Sequence, residues 1–261
     1  MLRFALLAAL GTVSVSTGSI GAAAEIQPQD IRSGFEFMSP QTRAMQSDDT
    51  SNPGMLWVMD GQRLWSEPQG TTAKSCASCH NDAAESMRGV AARYPAFNEE
   101  TQRPIDLMGR IKHCREKRQG AAPLTYQSDE LLALAAYVGR QSQGMPVAPP
   151  TDPRLQPFRQ NGRAWFERRL GQLQLSCASC HDDRWGARLG GSIIPQGHPT
   201  GYPLYRLEWQ TLGSLQRRLR GCLVGVRAEP FEFGAPEYVD IELFLMTRAK
   251  GLKLETPAVR P

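Results

Sequence analysis

The pentad Cys76-Ala77-Ser78-Cys79-His80 recurs 101 residues later as Cys177-Ala178-Ser179-Cys180-His181. The spacing Cys-x-x-Cys-His is the attachment signal for c-type haem, in which both thiols bind the porphyrin covalently and the histidine ligates the iron. A single copy is also compatible with a thioredoxin-like redox pair or half of a zinc site. Because two identical copies each keep the histidine, we expect two covalently bound haem c groups. The expected attachment residues are Cys76, Cys79, Cys177 and Cys180, and the expected proximal iron ligands are His80 and His181.

Length and charge are those of an ordinary globular protein. The chain has 261 residues, of which 41% are hydrophobic, and this length is sufficient for two domains. Its formal net charge is +4, and the propionates of two haems would bring the holoprotein close to neutrality. The basic balance therefore gives no support to nucleic-acid binding.

The first 24 residues have the pattern of a secretory signal peptide. Arg3 supplies the positive charge, residues 4–10 are apolar, and Ala22-Ala23-Ala24 offers a cleavage site. No later segment approaches the roughly 18 uninterrupted apolar residues that a membrane span needs. We therefore expect a periplasmic protein without a membrane span, which agrees with the compartment in which haem c is attached.

The surroundings of the two pentads also match. Residues 61–65 (GQRLW) precede the first pentad at the same offset as residues 162–166 (GRAWF) precede the second, and both are interpreted as the start of a helix. Residues 110–114 (RIKHC) parallel residues 218–222 (RLRGC). A further helix is predicted in each half, one capped by Ser128 and one starting after Pro236.

This order of elements resembles the class I cytochrome c fold. The predicted fold class is mainly α, with two tandem class I cytochrome c-like domains related by internal duplication. Residues 144–157 contain five prolines and are interpreted as a stiff linker. The predicted organisation is a signal peptide (1–24), an N-terminal domain with haem 1 (25–147), a Pro-rich linker (148–157) and a C-terminal domain with haem 2 and the active site (158–261).

The distal iron ligand is not expected to be the methionine that class I domains usually supply. No methionine lies between His181 and Leu245 in the second half. In the first half, Met87 is too close to the pentad, and Met108 has no counterpart because Gln216 stands at the matching position. Another residue type must therefore recur in this zone.

The recurring residue is cysteine, at Cys114 and Cys222. A repeated position indicates a repeated role, so we interpret both as distal thiolate ligands, which lower the reduction potential relative to methionine. A disulfide between them requires Cα atoms within about 7 Å, and this disulfide and plain free thiols are the open alternatives. His113 is a rival ligand without a counterpart, since Gly221 stands at the matching position, and His198 is interpreted as a polar loop residue.

Arg218 lies four residues before Cys222. On a helix this spacing puts both side chains on one face. A guanidinium beside a thiolate lowers the pKa of the thiol and can hold a small oxyanion through two hydrogen bonds. Arg218 is thus a candidate anion-binding residue, and the alternative is a solvated helix face or a partner for haem propionates.

The two pentads, the later cysteine in each half and the Arg-x-x-x-Cys segment resemble SoxA, the dihaem subunit family of the SoxAX cytochrome complex in bacterial thiosulfate oxidation. The resemblance covers essentially the whole chain after the signal peptide. It implies that His80 and Cys114 ligate haem 1 and that His181 and Cys222 ligate haem 2. It further implies that Cys222 is catalytic and able to carry a persulfide, that Arg218 binds thiosulfate, and that haem 1 is structural.

The same resemblance implies an enzyme, an L-cysteine S-thiosulfotransferase. Thiosulfate is joined oxidatively to a cysteine of a carrier similar to SoxYZ, and two electrons pass via haem to a cytochrome c. A small monohaem cytochrome similar to SoxX is the expected partner in a heterodimer.

Three other functions are compatible with a dihaem chain. A thiosulfate dehydrogenase forming tetrathionate typically pairs one cysteine-ligated with one methionine-ligated haem. A non-catalytic electron-transfer cytochrome needs no reactive thiol, and a dihaem peroxidase needs an open iron face. The repeated cysteine favours the transferase over these alternatives.

Overall fold

The computed structural model describes residues 26–261, so the predicted signal peptide lies outside the described residues. The α-helices in this range are α1 Pro40–Ser47, α2 Met55–Ser66, α3 Ala77–His80, α4 Ala83–Ser86, α5 Leu107–Cys114, α6 Asp129–Arg140, α7 Gln156–Glu167, α8 Cys177–His181, α9 Leu215–Gly225 and α10 Pro236–Arg248. Short 3-10 helices lie at Pro28–Asp30, Gly34–Phe37, Ala91–Arg93 and Pro153–Leu155, and a π-helical turn at Arg115–Gln119 follows α5. Every helix in the described range is too short or too polar to cross a bilayer.

The strands are short: β1 Ala96–Asn98, β2 Arg103–Ile105, β3 Arg188–Leu189, β4 Ser192–Ile193, β5 Leu204–Arg206, β6 Thr211–Gly213 and β7 Ala258–Arg260. Strands β1 and β2 form an antiparallel hairpin, as do β3 and β4. Strand β5 lies between β6, to which it is antiparallel, and β7, to which it is parallel. The fold is therefore helix-rich with small sheets.

Two helix pairs, α2 with α6 and α7 with α10, form the closest helix packings. A Cβ on Gly61 would overlap the carbonyl oxygen of Ala133, and a Cβ on Gly162 would overlap that of Asp240. Only glycine allows such an approach between helix backbones. The expectation that residues 61–65 and 162–166 start their helices is wrong, because both glycines lie inside helices, at the crossing points.

The ends of the last helix in each half agree with the sequence. The Ser128 hydroxyl accepts a hydrogen bond from the Leu131 N–H and so caps α6. Helix α10 begins at Pro236, where the missing N–H of proline costs nothing. Helix α7 begins at Gln156, inside the segment 148–157 that was interpreted as a linker.

The elements that lead to Cys114 and Cys222 recur at a constant offset of 108 residues. Strands β1 and β2 correspond in this way to β5 and β6, and the cysteine-bearing helix follows the second strand each time. Tyr94 and Arg110 likewise correspond to Tyr202 and Arg218. Each half thus contains a hairpin that runs directly into a cysteine helix.

Candidate active site

Each pentad folds as one short helix. In the second, the Ser176 hydroxyl accepts from the Ser179 N–H at 3.1 Å, and the Ser179 hydroxyl accepts from the Ser176 N–H at 3.1 Å. Ser75 and Ser78 make the same reciprocal pair in the first. This capping box fixes the helix start, so that the two thiols of each pentad, three residues apart, lie on one face.

The two pentad histidines have different surroundings. His80 is exposed, and its ring lies 5.8 Å from that of Trp65, whose Nε1 donates to the Asn81 carbonyl oxygen. The Nδ1 of His181 is 2.6 Å from the carbonyl oxygen of Pro195. Since a carbonyl oxygen only accepts, Nδ1 carries a proton, and Nε2 is the ring nitrogen of His181 that is left to face a metal or a sulfur.

Gln196 ties the Pro195 loop to the N-terminal segment. It is fully buried, its Oε1 accepts from the Arg32 N–H at 2.7 Å, and its Nε2 donates to the Asp30 carbonyl oxygen at 2.8 Å. His198 donates from Nδ1 to the Arg32 carbonyl oxygen at 2.8 Å, and burial lowers the pKa of His198 to about 4. His198 therefore serves as a neutral loop residue, as its sequence context indicates.

Cys222 faces His181. Helix α9 carries Arg218 and Cys222 one turn apart, as expected, and the His181 ring makes a hydrogen-bonding contact with the Cys222 sulfur. Burial opposes ionisation of Cys222, but the hydrogen bond to His181 and the charges of Arg218 and Arg206 outweigh it and lower the pKa of Cys222. Among the described residues, the Arg218 guanidinium has no hydrogen-bond acceptor or carboxylate partner, so it is available to an anion.

Arg206 and Tyr202 belong to the same surroundings and were missed at the sequence level. The charge of Arg206 acts on both Cys222 and Arg218, and Tyr202 lies within electrostatic range of all three. Burial raises the pKa of Tyr202, so its hydroxyl keeps its proton and can donate. Arg206 lies 16 residues before Cys222, on a three-residue strand that leaves no periodic signal.

At Cys114, burial outweighs the nearby positive charges in setting the pKa of the thiol. Cys114 ends α5 and interacts electrostatically with Cys76 and Cys79. Burial raises the pKa of Cys114, and the charges of Arg110 and Arg118 offset this only in part. The pKa of Cys114 is therefore raised and that of Cys222 is lowered, although the two cysteines occupy equivalent positions.

The alternative ligands are engaged elsewhere. Met108 is buried in the core with Val58, and Met87 packs beside Trp65. His113 holds its Nε2 3.3 Å from a carboxylate oxygen of Glu100. All six cysteines fall within the described residues and are free, so the disulfide left open by the sequence is not formed.

The donor set fits haem. An imidazole nitrogen facing a sulfur is a ligand pair that iron accepts in haem proteins. In the first half, Arg115 is 8% exposed, its Nε has no hydrogen-bond partner among the described residues, and its charge acts on Cys76. A haem propionate is an anion of the kind that would satisfy this buried guanidinium.

A helix-rich fold with paired thiols, a proximal imidazole and a sulfur facing it defines a c-type cytochrome. The family described as SoxA/TsdA, cytochrome c domain, matches residues 60–147. L-cysteine S-thiosulfotransferase subunit SoxA of Pseudaminobacter salicylatoxidans is 39% identical over 229 residues, which cover 87% of this chain and 80% of that protein. The same subunit of Rhodovulum sulfidophilum is 37% identical, covering 88% of this chain and 80% of that protein.

The crystal structure of SoxXA from P. pantotrophus superimposes with a TM-score of 0.85 at 33% identity, covering 88% of this chain and 87% of that one. The chain therefore belongs to the SoxA family and carries the family's cytochrome c fold with covalent haem c.

Proposed function

We propose that this chain is the catalytic subunit of an L-cysteine S-thiosulfotransferase, which conjugates thiosulfate oxidatively to a cysteine of a sulfur-carrier protein similar to SoxYZ. The observation that carries the proposal is the contact between Cys222 and His181 beside the unpaired Arg218. A sulfur nucleophile with a lowered pKa and a free guanidinium is suited to a small anionic sulfur substrate. The names of the two relatives described above support the same activity.

We infer that two haem c groups are bound, one in each of two tandem cytochrome c-like domains joined by the linker 148–157. Cys76, Cys79, Cys177 and Cys180 would attach them, with His80 and Cys114 as the axial pair of haem 1 and His181 and Cys222 as that of haem 2. The constant offset of 108 residues between the two hairpin and cysteine-helix units supports an internal duplication. Covalent haem c beside Cys222 supplies a one-electron acceptor for sulfur oxidation.

The chemistry at Cys222 balances as two steps. In the first, the outer sulfur of thiosulfate forms a bond with the Cys222 thiolate sulfur, and two electrons leave to cytochrome c. In the second, the carrier thiol loses its proton, attacks that outer sulfur and displaces the Cys222 thiolate. The net result is one new sulfur–sulfur bond on the carrier, one proton and two electrons. Arg218 offsets the repulsion between two anionic sulfurs in the first step.

The expected surroundings are periplasmic. Residues 1–24 have the pattern of a signal peptide, and the likeness to a SoxXA complex supports a small SoxX-like cytochrome as the partner in a heterodimer. A thiosulfate dehydrogenase is less well supported, because burial of Met108 in the helix core removes the methionine ligand that such an enzyme would need. A purely electron-transferring cytochrome would leave the lowered pKa of Cys222 without a use.

The test compares wild-type protein with Cys222→Met, using Cys114→Met as the matched variant in the other half. Each is incubated with thiosulfate, carrier and oxidised cytochrome c, and carrier mass and cytochrome reduction are followed. Wild type and Cys114→Met should conjugate the carrier, whereas Cys222→Met should keep both haems and lose conjugation. Carrier conjugation by Cys222→Met at the wild-type rate, or tetrathionate as the product of wild type, contradicts the proposal. Intact mass counts the haems, and electron paramagnetic resonance tests thiolate ligation.

A further inference from the structure

The two hairpins that precede the cysteine helices differ in charge at the last residue of their first strand. Strands β1 and β5 correspond at an offset of 108 residues, so that Asn98 in the first half matches Arg206 in the second. Asn98 is buried, and its Oδ1 accepts a hydrogen bond from the Glu100 N–H. The tyrosine, the arginine and the cysteine of this region are kept in both halves, whereas the guanidinium of Arg206 is added only in the second.

Arg206 is held in place by its own contacts. Its Nε donates to the Pro261 carbonyl oxygen at 2.8 Å, and its Nη2 is 2.8 Å from a carboxylate oxygen of Glu208. The Arg206 side chain is 12% exposed, while its Glu208 partner is 65% exposed. An ion pair with so exposed a carboxylate is weak, so it does not account for burying this charge.

The hairpin places Arg206 near the N-terminus of the cysteine helix α9. Arg206 pairs with Thr211 across the hairpin, and strand β6 then runs through the cap Ser214 into α9. The charge of Arg206 consequently acts on both Arg218 and Cys222. Two guanidinium groups within electrostatic range repel each other, and an anion bound beside both reduces this cost.

We propose that Arg206 is a second thiosulfate-binding residue, which together with Arg218 and the Tyr202 hydroxyl holds the dianion beside Cys222. Thiosulfate carries two negative charges, and one arginine matches only one of them. Arg206 supplies the second positive charge, and Tyr202 supplies a neutral donor whose hydroxyl has no hydrogen-bond partner among the described residues. The first half has Asn98 in place of Arg206, so its hairpin supplies no positive charge at this position. This inference rests on the proposed function, because it names residues of the same substrate site.

The experiment uses three variants in the complete haem-loaded complex. Arg206→Asn installs the residue of the first half, and Arg206→Lys keeps the charge. Arg217→Asn is the control, because it removes a neighbouring arginine that also stacks on Trp209. Arg217 lies 4.3 Å from the Trp209 ring centroid, and Arg206 lies 5.1 Å from it. Steady-state kinetics with the carrier give KM for thiosulfate and kcat. Calorimetric titration of the fully reduced complex with thiosulfate alone gives affinity without turnover, because no haem is then free to accept electrons.

Arg206→Asn should raise KM and weaken equilibrium binding of thiosulfate by about 10-fold to 100-fold, the loss expected for one charge-assisted contact. The value of kcat should fall by a smaller factor than the affinity, because Arg206 does not touch the reacting sulfurs and acts on Cys222 only through its charge. Arg206→Lys should recover part of the affinity, and Arg217→Asn should behave as wild type. Wild-type affinity in Arg206→Asn, or an equal loss in Arg217→Asn, overturns the inference. If the wild-type complex transfers nothing to the carrier, the proposed function fails, while the titration still decides the role of Arg206.

Discussion

If two haems are bound as proposed, replacing Gln196 with alanine should raise the reduction potential of the second haem and leave that of the first unchanged. Gln196 fixes the loop whose Pro195 carbonyl oxygen accepts from Nδ1 of His181. A well-placed acceptor draws the Nδ1 proton and makes the imidazole a stronger electron donor, which stabilises ferric iron. A loosened loop weakens this hydrogen bond, so the ferric state is stabilised less and the reduction potential rises.

The size of the shift follows from the bonds that Gln196 makes. Its two hydrogen bonds to the N-terminal segment, at 2.7 and 2.8 Å, are each worth about 1 kcal/mol. Suppose that losing these bonds destabilises the ferric state relative to the ferrous state by about 1 kcal/mol. The potential then rises by about 40 mV, since about 1.4 kcal/mol corresponds to about 59 mV for one electron. A much larger shift would mean that an axial ligand is lost, which the haem spectrum detects.

The assay is a potentiometric titration that resolves both haems of one molecule, so the first haem is the internal control. A second pair of variants tests the hydrogen bond between Gln196 and Arg32 by changing Arg32. Arg32→Pro removes the N–H that donates to Gln196, whereas Arg32→Ala keeps it. Ile31 already has the extended conformation, with φ −68° and ψ 121°, that a following proline favours. An unchanged potential difference between the haems in both Gln196→Ala and Arg32→Pro refutes the reasoning.

Two further predictions concern stability. Gly162→Ala should lower the free energy of unfolding by about 1–3 kcal/mol, because its Cβ overlaps the Asp240 carbonyl oxygen. Gly221→Ala, whose Cβ meets no atom within 4 Å, should raise the free energy of unfolding by up to about 1 kcal/mol. Both changes are measured by urea titration. Burial raises the pKa of Asp106 and of Glu242, so the folded chain holds protons that the unfolded chain releases, and stability falls as pH rises above the carboxyl range. Glu242→Gln should reduce this slope and be more stable at pH 7; an unaltered pH profile of unfolding contradicts this account.

Local features of the site could be predicted from the sequence. The helix cap at Ser128, the start of α10 at Pro236 and the shared helix of Arg218 and Cys222 depend on residues at most a few positions apart. Capping and helical spacing are properties of such short segments, so a single sequence contains the information.

Other features needed the fold. Gly61 lies inside α2 and not at its start, because the close approach of Ala133 at this point requires a glycine although glycine weakens helix interiors. The bonds between Gln196 and the N-terminal segment join residues 164 and 166 positions apart. Arg206 lies on a three-residue strand, too short for a periodic pattern to mark. Each of these features depends on contacts between segments that no local pattern describes.

The opposite pKa shifts of the two equivalent cysteines show why the motif alone does not specify a reactive thiol. Both cysteines follow an arginine by four residues and lie on a helix that a hairpin introduces. Burial raises the pKa of each, and the charges of two guanidinium groups lower it at each; only at Cys222 is an imidazole also in contact, and there the burial is outweighed. Removing Arg206 leaves the Arg-x-x-x-Cys segment intact but takes away one of these opposing charges. Reactivity at Cys222 therefore depends on residues distant in sequence, His181 and Arg206 among them, which the Arg-x-x-x-Cys spacing does not reveal.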